Sequence, residues 1–379
     1  MEKKELGIYI HIPFCVRKCA YCDFLSSPAT DEVIDDYFKA LDLELEDFCK
    51  KNRDDYIIRS IFFGGGTPSI VKNGYIAKII QKISRYFELE SNIEITVEAN
   101  PGTVTKDKLS DYWKSGVNRL SFGLQSCNDD ELLRIGRIHT YKDFLLSYDM
   151  ALKTGFDNIS VDIMSALPGQ TLKSYENTLK EVKKLKTKHV SSYSLILEKN
   201  TALYFEKESG IDLQLPDEEN ERQMYYLTKE YLSKAGLNRY EISNYAVCGY
   251  ESRHNTIYWT GVEYAGFGIG AASYIKGKRY TNISKLTGYI LDPLSDKAES
   301  VTLTENDKMS EFMYLGLRMT NGILISDFKN RFCRHIENVY GDVINKYRRL
   351  NLLDTDGNRI WLTEKGIDVS NTVFADFLL

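Results

Sequence analysis

Over its first two-thirds, this 379-residue chain alternates between short β-branched or aromatic runs and amphipathic segments. Such runs, bounded by glycine, proline or a lone polar residue, are typical of buried strands, and the segments between them are typical of helices. Six runs occur, at residues 8–13, 60–66, 93–100, 118–125, 158–169 and 189–198. Strands that alternate with helices form βαβ units and a parallel sheet. Six units predict an α/β fold, a partial (β/α)6 TIM-like barrel.

The alternation predicts helices at residues 31–50, where Asp31 can cap the start, and at residues 217–236, which begin after Pro216. After about residue 200 the pattern changes. The glycine-rich stretch at residues 261–274 predicts loops and a close-packed strand, and a helix followed by a hairpin turning at Asp356-Gly357 predicts a small winged-helix-like α+β domain. A helical cap without a binding role fits this tail equally well. We predict domains at residues 1–235 (barrel), 236–299 (connecting region) and 300–379 (C-terminal domain).

The composition excludes several classes of function. The net charge is −5, so no basic field attracts nucleic acid or an anionic membrane. The opening residues do not match a signal peptide, and no apolar stretch approaches the ~18 residues of a membrane-spanning helix. We therefore expect a cytoplasmic protein. Seven cysteines, an odd number, also make a disulfide framework a poor interpretation, so Cys49, Cys127, Cys248 and Cys333 are expected to be ordinary core or surface residues.

Unusual polar and glycine residues lie at or just past the carboxyl end of each predicted strand. They are the segment Cys15 to Cys22, the segment Gly64 to Thr67, Glu98, Gln125, Asp162 and Ser194. The carboxyl ends of parallel strands meet at one edge, where α/β folds gather ligand-binding groups. A buried strand has no structural need for this pattern, so the sequence predicts a functional site at that edge.

Cys15, Cys19 and Cys22 follow the first strand with CxxxCxxC spacing. One tight loop can turn three thiolates toward one metal centre. A zinc site usually has four protein ligands, for which His11 is the nearby fourth candidate. Three thiolates suit a [4Fe–4S] cluster with one iron left open to a ligand. Spacing alone favours the iron–sulfur cluster, and it leaves zinc or no metal open.

The segment IYIHIPFCVRKCAYCDF and the later GGGTP resemble the signature of radical S-adenosylmethionine (SAM) enzymes, in the branch related to oxygen-independent coproporphyrinogen III oxidase, and the resemblance covers nearly the whole chain. It implies that the open iron binds the amino and carboxylate groups of SAM. An electron from the cluster then cleaves SAM to a 5′-deoxyadenosyl radical, which is chemistry that the cofactors supply and the protein positions.

The same resemblance implies a set of SAM contacts. They are Tyr9, Tyr21, Gly65, Gly66, Thr67, Glu98, Gln125, Arg137, Asp162 and Ile196. Taken singly, members have simpler explanations: the triple glycine as a tight turn, Arg137 as a surface charge and Asp162 as a satisfied buried carboxylate. We expect His139 and His189 to be structural, and we assign His11 no catalytic role.

The chain departs from the oxidases of this family in three places. Phe24 stands where they carry a fourth cysteine, and the first strand starts by about residue 8, so their N-terminal segment is expected to be absent. The third departure is an added segment, His254-Asn255-Thr256-Ile257-Tyr258-Trp259. In isolation it favours a core histidine among aromatic residues, but it matches the HNxxYW motif of the HemW family, radical SAM proteins proposed to be heme chaperones. The match implies heme contacts at His254, Asn255, Tyr258 and Trp259, whereas GIGAASY lacks the histidine that HemW-like chains often carry there.

The sequence thus predicts a heme chaperone of the HemW type that binds a [4Fe–4S] cluster, SAM and heme. Its expected partners are an electron donor and an acceptor hemoprotein, with membrane-associated respiratory proteins among the candidates. The alternative is an oxygen-independent coproporphyrinogen III oxidase of porphyrin biosynthesis, so enzymatic activity stays open. A zinc-stabilised binding module is disfavoured because it leaves GGGTP, Glu98 and Gln125 unexplained.

Overall fold

A computed structural model describes residues 3–379 of the chain; Met1 and Glu2, part of the opening segment considered above, lie outside the described residues. Its first half follows the predicted alternation. The strands are β1 (Lys4–Ile12), β2 (Tyr56–Gly65), β3 (Glu88–Ala99), β4 (Arg119–Gln125), β5 (Ile159–Ser165) and β6 (His189–Ser194). The helices between them are α1 (Asp31–Asn52), α2 (Tyr75–Tyr86), α3 (Lys106–Lys114), α4 (Asp129–Arg134), α5 (Tyr141–Thr154) and α6 (Leu172–Leu185), and a short 3-10 helix spans Pro68–Ile70.

The six strands pair in parallel in chain order, β1 to β6, which confirms the predicted partial barrel. Their outward faces bury isoleucine, leucine, valine and phenylalanine side chains against α1, α2, α3, α5 and α6 in one continuous core. Because all six carboxyl ends reach the same edge, the loops that follow β1 to β6 surround one opening.

The second half adds shorter elements. They are α7 (Ala202–Glu208), α8 (Glu218–Ser233), β7 (Asn238–Arg239), β8 (Asn244–Ala246), α9 (Arg253–Thr260), β9 (Glu263–Phe267), β10 (Ala272–Ile275), β11 (Lys278–Thr281), α10 (Leu286–Leu291), β12 (Glu299–Thr302), α11 (Glu305–Gly316), β13 (Ile323–Leu324), α12 (Ile325–Phe332), α13 (Ile336–Arg349), β14 (Leu353–Thr355), β15 (Arg359–Leu362), α14 (Glu364–Asp368) and α15 (Ser370–Ala375).

The strands of residues 236–299 join the barrel sheet at both of its edges. β8 and then β7 continue it antiparallel beyond β6, while β9 pairs in parallel with β1 and carries β10, β11 and β12 outward. The glycine-rich stretch therefore contains a strand of the main sheet. The sequence predicted a close-packed strand there but not the sheet to which it belongs. The domain division at residues 235 and 299 stays a prediction.

The C-terminal residues form a small α+β domain with its own core. Its sheet has the order β13-β15-β14, and β14 and β15 form the predicted hairpin. Met313, Phe328, Tyr340 and Val373 are central to that core. A tail with a mixed α+β fold is thereby confirmed.

The helix starts follow the expected chemistry with one difference. Asp217 caps α8 by accepting a hydrogen bond from the Asn220 backbone N–H. In α1, however, Thr30 occupies the N-cap position and Asp31 lies in the first turn. The prediction that Asp31 is the cap was wrong by one residue; its carboxylate instead faces the positive end of the helix dipole.

A buried carboxylate on α1 attaches the connecting region to the barrel. Glu44 accepts hydrogen bonds from the Gly268 backbone N–H (3.0 Å), the Asn282 side-chain amide (2.8 Å) and the Tyr289 hydroxyl (2.7 Å), and Lys297 lies 3.3 Å away. These four groups lie in or next to the β9–α10 segment, so one side chain fixes that segment against α1.

We expect Glu44→Ala to lower the free energy of unfolding by about 2–4 kcal/mol, because several buried donors lose their acceptor. Urea unfolding followed by circular dichroism measures this change. Asp36→Ala is the control, since Asp36 makes only an exposed ion pair with Lys39 on the same helix. A Glu44→Ala midpoint equal to that of the control would contradict the assigned role.

Candidate functional site

The loop that carries the three cysteines follows β1 and is closed at its base. The Cys15 N–H donates to the Ser27 carbonyl (3.2 Å), and the Ser27 N–H donates to the Pro13 carbonyl (3.0 Å). The tip is held by a tight turn, in which the Cys22 N–H donates to the Cys19 carbonyl, and by a hydrogen bond from the Ala20 N–H to the Ile135 carbonyl. Backbone hydrogen bonds thus place all three cysteines at the carboxyl-end opening of the barrel.

All three thiols are free of disulfide bonds. Cys15 is buried, and Cys19 and Cys22 are partly exposed. Burial raises the pKa values of the Cys15 and Cys22 thiols, so a metal centre binding there has to displace their protons. Within residues 3–379, no three His, Cys, Asp or Glu side chains are gathered closely enough to enclose a single metal ion.

Arg137 connects the cysteine loop to the ends of two strands. Its Nη1 lies 3.7 Å from the Cys19 sulfur, and its Nη2 donates to the Gly123 carbonyl (2.6 Å) and the Asn100 side-chain oxygen (2.8 Å). Asn100 in turn donates to the Thr67 hydroxyl (2.8 Å). Since Arg137 is almost fully buried, the structure excludes the simpler explanation of a surface charge.

Glu98 lies deep in the barrel yet keeps some accessible surface, as expected of a side chain that lines an internal space. It accepts a hydrogen bond from the Gly65 backbone N–H (3.2 Å). Burial, together with the nearby Asp162 carboxylate, raises the pKa of Glu98 to about 8. At neutral pH this carboxyl group is therefore mostly protonated, a state that a ligand with hydrogen-bond donors can change.

Asp162, on the neighbouring part of the interior wall, is surrounded by hydroxyl groups. The Ser121 hydroxyl lies 3.2 and 3.3 Å from its two oxygens, and the Ser160 hydroxyl lies 3.4 Å from one of them. Burial raises its pKa, while these hydroxyls oppose the rise. The pair of acidic groups in one protein interior is the kind of arrangement found at functional sites.

The glycines of GGGTP are required by the chain's own packing. A Cβ at Gly65, which has φ +110°, would lie 2.5 Å from the His11 ring, and one at Gly66 would lie 2.6 Å from the Phe14 carbonyl oxygen. A Cβ at Gly64 would lie 3.2 Å from the Glu98 carboxyl carbon. The close approach of β2 to the cysteine loop thus supports the simpler explanation of the triple glycine as a tight turn. The same approach places the backbone of this segment beside Glu98.

The remaining predicted SAM contacts take different positions. Tyr9 faces the interior beside Gly64 and Glu98, with its hydroxyl 3.0 Å from His11 Nδ1. Gln125 ends β4 with φ 69°, an uncommon conformation for a non-glycine residue that occurs at functional sites. Tyr21 belongs to the cysteine loop and packs near Arg137 and against the small cluster of Ile135, Met164 and Leu167, whereas Ile196 is largely exposed on the rim. The structure brings this set together around the opening, with Ile196 outermost.

Two histidines outside the motif, His11 and His189, have structural hydrogen bonds. Both ring nitrogens of His189 are occupied, by Ser160 (2.8 Å) and Tyr240 (3.0 Å), and those of His11 by Tyr9 and Leu25. His139 is buried. The hydrogen bonds of His189 and His11 are those of structural residues, whereas both ring nitrogens of His139 lack a hydrogen-bond partner among residues 3–379, so its structural role stays a prediction.

The HNxxYW segment forms the short helix α9, which packs against β2. Its start is fixed by Glu94, whose carboxylate accepts from the backbone N–H groups of Arg253 and His254, each at 3.0 Å. His254 is buried: its Nδ1 lies 2.8 Å from the Ser60 hydroxyl, its Nε2 lies 2.9 Å from the Tyr258 hydroxyl, and its ring stacks on Phe62 at 5.0 Å. Burial, together with the Arg119 charge, lowers the pKa of His254 to about 3. In this conformation neither nitrogen is available to an iron.

Tyr258 and Trp259, on the same helix, line a cleft between the barrel edge and the C-terminal domain. The Arg318 guanidinium stacks 4.2 Å from the Trp259 ring. Asn255 is partly buried, and its backbone N–H is bound by the Ser252 hydroxyl. Within the motif, His254 thus packs toward the barrel, Trp259 lines the cleft, and Tyr258 lines the cleft while its hydroxyl binds His254.

Sequence reasoning missed several residues of these surroundings. Asn100 follows Glu98 by two positions in the same strand-end segment, so its location was a usable signal. Ser60, Phe62 and Glu94, which hold His254, lie within strands and read as ordinary strand residues. The residues that contact α9 belong to β2 and β3, which are far from α9 in the sequence. No local sequence pattern predicts contacts between such distant segments.

The fold and the site define a member of the radical SAM superfamily, whose family model matches residues 9–182; the model of the HemN C-terminal domain matches residues 303–369. The chain is 37% identical to a Lactococcus lactis protein described as the heme chaperone HemW, over 100% of this chain and 99% of that protein, and 38% identical to the Bacillus subtilis protein of the same description, over 98% of each. It belongs to the HemW family. Its fold matches that of Escherichia coli coproporphyrinogen III oxidase, HemN, with a TM-score of 0.84 at 21% identity, over 99% of this chain and 90% of that one.

Membership of the radical SAM superfamily implies a [4Fe–4S] cluster and SAM. The residues at the opening fit both: three free thiols share one loop, and the Arg137 guanidinium and the Glu98 carboxyl group, whose pKa is raised, lie on the wall beside them. Within residues 3–379, no helix is both long and apolar enough to cross a bilayer.

Proposed function

We propose that this chain is a heme chaperone, which binds heme and delivers it to an acceptor hemoprotein. The observation that carries the proposal is the HNxxYW helix, which stands between the barrel interior and a cleft against the C-terminal domain. The relatives described as heme chaperones match along the whole chain. Phe24, exposed on the cysteine loop at the position of the fourth cysteine of the oxidases, supports the same assignment.

In this proposal Cys15, Cys19 and Cys22 hold the [4Fe–4S] cluster. A cluster bound there would supply one-electron reduction of bound SAM, with the electron coming from an external donor. The protein's own contribution is positional: Arg137 fixes the cysteine loop against Gly123 and Asn100, and Glu98 and Asp162 present acidic groups to hydroxyls of the ligand. Tyr9, Tyr21, Gly65, Gly66, Thr67, Gln125 and Ile196 complete the proposed SAM contacts.

Heme is proposed to bind at α9, with His254, Asn255, Tyr258 and Trp259 contributing. Direct ligation of the iron by His254 requires that its hydrogen bonds to Ser60 and Tyr258 break. In the observed conformation, His254 instead forms a hydrogen bond with the Tyr258 hydroxyl and holds it in position.

The test is an anaerobic heme titration of the cluster-reconstituted protein, followed by visible absorbance, with wild type and His254→Ala side by side. We expect saturable, near-stoichiometric binding by the wild type and about tenfold weaker binding by the variant, because the motif loses a buried hydrogen-bonding side chain. His335→Ala is the matched control, since His335 is an exposed histidine outside the motif.

Equal affinity in His254→Ala and His335→Ala would remove His254 from the heme site. If the wild type failed to saturate, the chaperone proposal would be wrong. Coproporphyrinogen III turnover would then be the assay for the oxidase alternative.

A further inference from the structure

A cleft separates the outer edge of the barrel sheet from the C-terminal domain. α9, β9, β10 and β11 form one side, and α11, β13 and α12 form the other. It encloses about 260 Å³ and opens to solvent. The site at the carboxyl ends of β1 to β6 shares none of its lining residues with this cleft.

The walls of the cleft are largely aromatic and aliphatic. Tyr258 and Trp259 line it from the barrel, and Phe312, Leu315 and Ile323 line it from the C-terminal domain. The Trp259 indole N–H is buried without a hydrogen-bond partner among residues 3–379. A buried donor left unpaired is uncommon in folded proteins and is a reason to look for a ligand.

Two arginines at the cleft have no carboxylate partner among the residues that the structure describes. Arg331 donates only to the Gly261 carbonyl (3.4 Å), and Arg359 only to the Asn321 carbonyl (3.3 Å). Arg279, by contrast, is paired with Glu311 in a two-pronged ion pair. Asp327 adds one negative charge to the lining, so the two free guanidinium groups leave the cleft with an excess of positive charge.

A ligand that matches these features is flat and apolar and carries carboxylates at one edge. Guanidinium groups bind carboxylates with paired, charge-assisted hydrogen bonds, and aromatic faces pack on flat conjugated rings. Heme has this chemistry, with two propionate groups on one side of the macrocycle.

We propose that the carboxylate-bearing edge of heme binds in this cleft, with Arg331 and Arg359 holding the propionates beside Tyr258 and Trp259. The inference rests on the proposed chaperone function and locates its cargo. Ligand pockets commonly measure about 300–1,000 Å³ and cover most of their ligand. A smaller, open cleft covers one part of the macrocycle and leaves the rest exposed, as suits a molecule that has to be passed on.

The same geometry makes His254 a positioning residue. It lies on the barrel side of α9, and its Nε2 binds the hydroxyl of Tyr258, whose side chain lines the cleft. Substitution of His254 should therefore weaken heme binding without changing the visible spectrum of the heme that remains bound.

The experiment compares two probes on the full-length, cluster-reconstituted protein: iron protoporphyrin IX and its dimethyl ester, in which both carboxylates are blocked. We expect the wild type to bind the free acid at least about tenfold more tightly than the ester. Arg331→Gln/Arg359→Gln should lose about 10- to 100-fold in affinity for the free acid and keep the wild-type affinity for the ester. The matched control is Arg348→Gln/Arg349→Gln, which removes two exposed arginines of the same domain.

The outcomes separate the two proposals. Saturable wild-type binding with no preference for the free acid, or with the Arg331/Arg359 variant equal to its control, would overturn the cleft assignment and leave the chaperone function standing. No saturable binding of either probe would overturn both. The comparison of acid and ester uses the wild type alone, so the lack of a preference for the free acid would overturn the cleft assignment even if the double variant failed to fold.

Discussion

Replacing Cys19 with serine should abolish assembly of the iron–sulfur cluster. A hydroxyl is a far poorer ligand for these irons than a thiolate, and only Cys15 and Cys22 would remain to hold the centre. The backbone turn at this position is made by the Cys19 carbonyl and the Cys22 N–H, which serine retains. The substitution therefore changes the ligand chemistry while keeping the loop.

The measurement is iron and acid-labile sulfide content after anaerobic reconstitution, together with visible absorbance. Wild type should be brown, and Cys19→Ser should lose nearly all of that absorbance along with its iron and sulfide. Cys248→Ser is the matched control because Cys248 is an exposed cysteine remote in sequence from the loop. Full iron and sulfide in Cys19→Ser would refute the ligand assignment, and zinc without sulfide in the wild type would refute the cluster itself.

Glu98→Gln should have two effects of opposite sign, one on SAM binding and one on stability. Glutamine keeps the shape of the side chain and cannot ionise. SAM affinity should fall by about 1–3 kcal/mol, the usual cost of leaving hydrogen-bonding groups poorly matched. In the wild type, SAM affinity should increase between about pH 6 and pH 9. Without SAM the pKa of Glu98 is about 8. Hydrogen bonds from SAM to the carboxyl group favour its ionised form, so SAM binds more tightly as the pH rises and Glu98 ionises. The variant should lack this pH dependence.

The stability effect follows from the direction of the pKa change. The pKa of Glu98 is raised from 4.5 to about 8 by folding, so its protonated form is the one that the folded state favours. That contribution is fully present below pH 4.5 and is lost as the pH rises to about 8, because the unfolded chain releases the proton first. Above pH 8 the empty wild type should be less stable than Glu98→Gln, by up to about 5 kcal/mol.

Thermal unfolding of the ligand-free proteins at pH 5 and pH 8.5 measures this difference. The stabilisation by Glu98→Gln should be large at pH 8.5 and small at pH 5, and the exposed substitution Glu208→Gln should be neutral at both. Equal unfolding temperatures of wild type and Glu98→Gln at pH 8.5 would show that the carboxyl group titrates normally. Unchanged SAM affinity would remove Glu98 from the ligand site.

The sequence predicted the barrel well because each β-branched run and each amphipathic segment is a local signal. The six parallel strands fall where the runs lie, and even the C-terminal hairpin was marked by Asp356-Gly357. The placement of β9 beside β1 could not be predicted. Neither strand carries a local sequence pattern that indicates its distant partner. The position of β9 also depends on groups remote in sequence, such as Glu44, which binds the backbone just after β9.

The candidate site was predictable where spacing carries the chemistry, as in the cysteine loop, and where strand ends carry polar residues, as at Glu98 and Asp162. Burial was not predictable from these patterns. Arg137 could have been a surface charge, and only its contacts with Gly123, Asn100 and Cys19 make it part of the opening. The orientation of His254 away from the cleft, and the lack of carboxylate partners at Arg331 and Arg359, likewise depend on tertiary packing.

The pairing of β1 with β9 has a consequence for the synthesis of the chain. β1 ends at Ile12, and the strand that covers its second edge begins at Glu263. A ribosome adding about 5–20 residues per second needs roughly 12–50 seconds to make the intervening segment. Throughout that time β1 is an edge strand with unpaired backbone groups, the kind of surface that recruits other nascent chains. The cysteine loop directly follows this strand, so any slowing of translation across residues 13–262 lengthens the period in which the strand that carries the loop lacks its second neighbour.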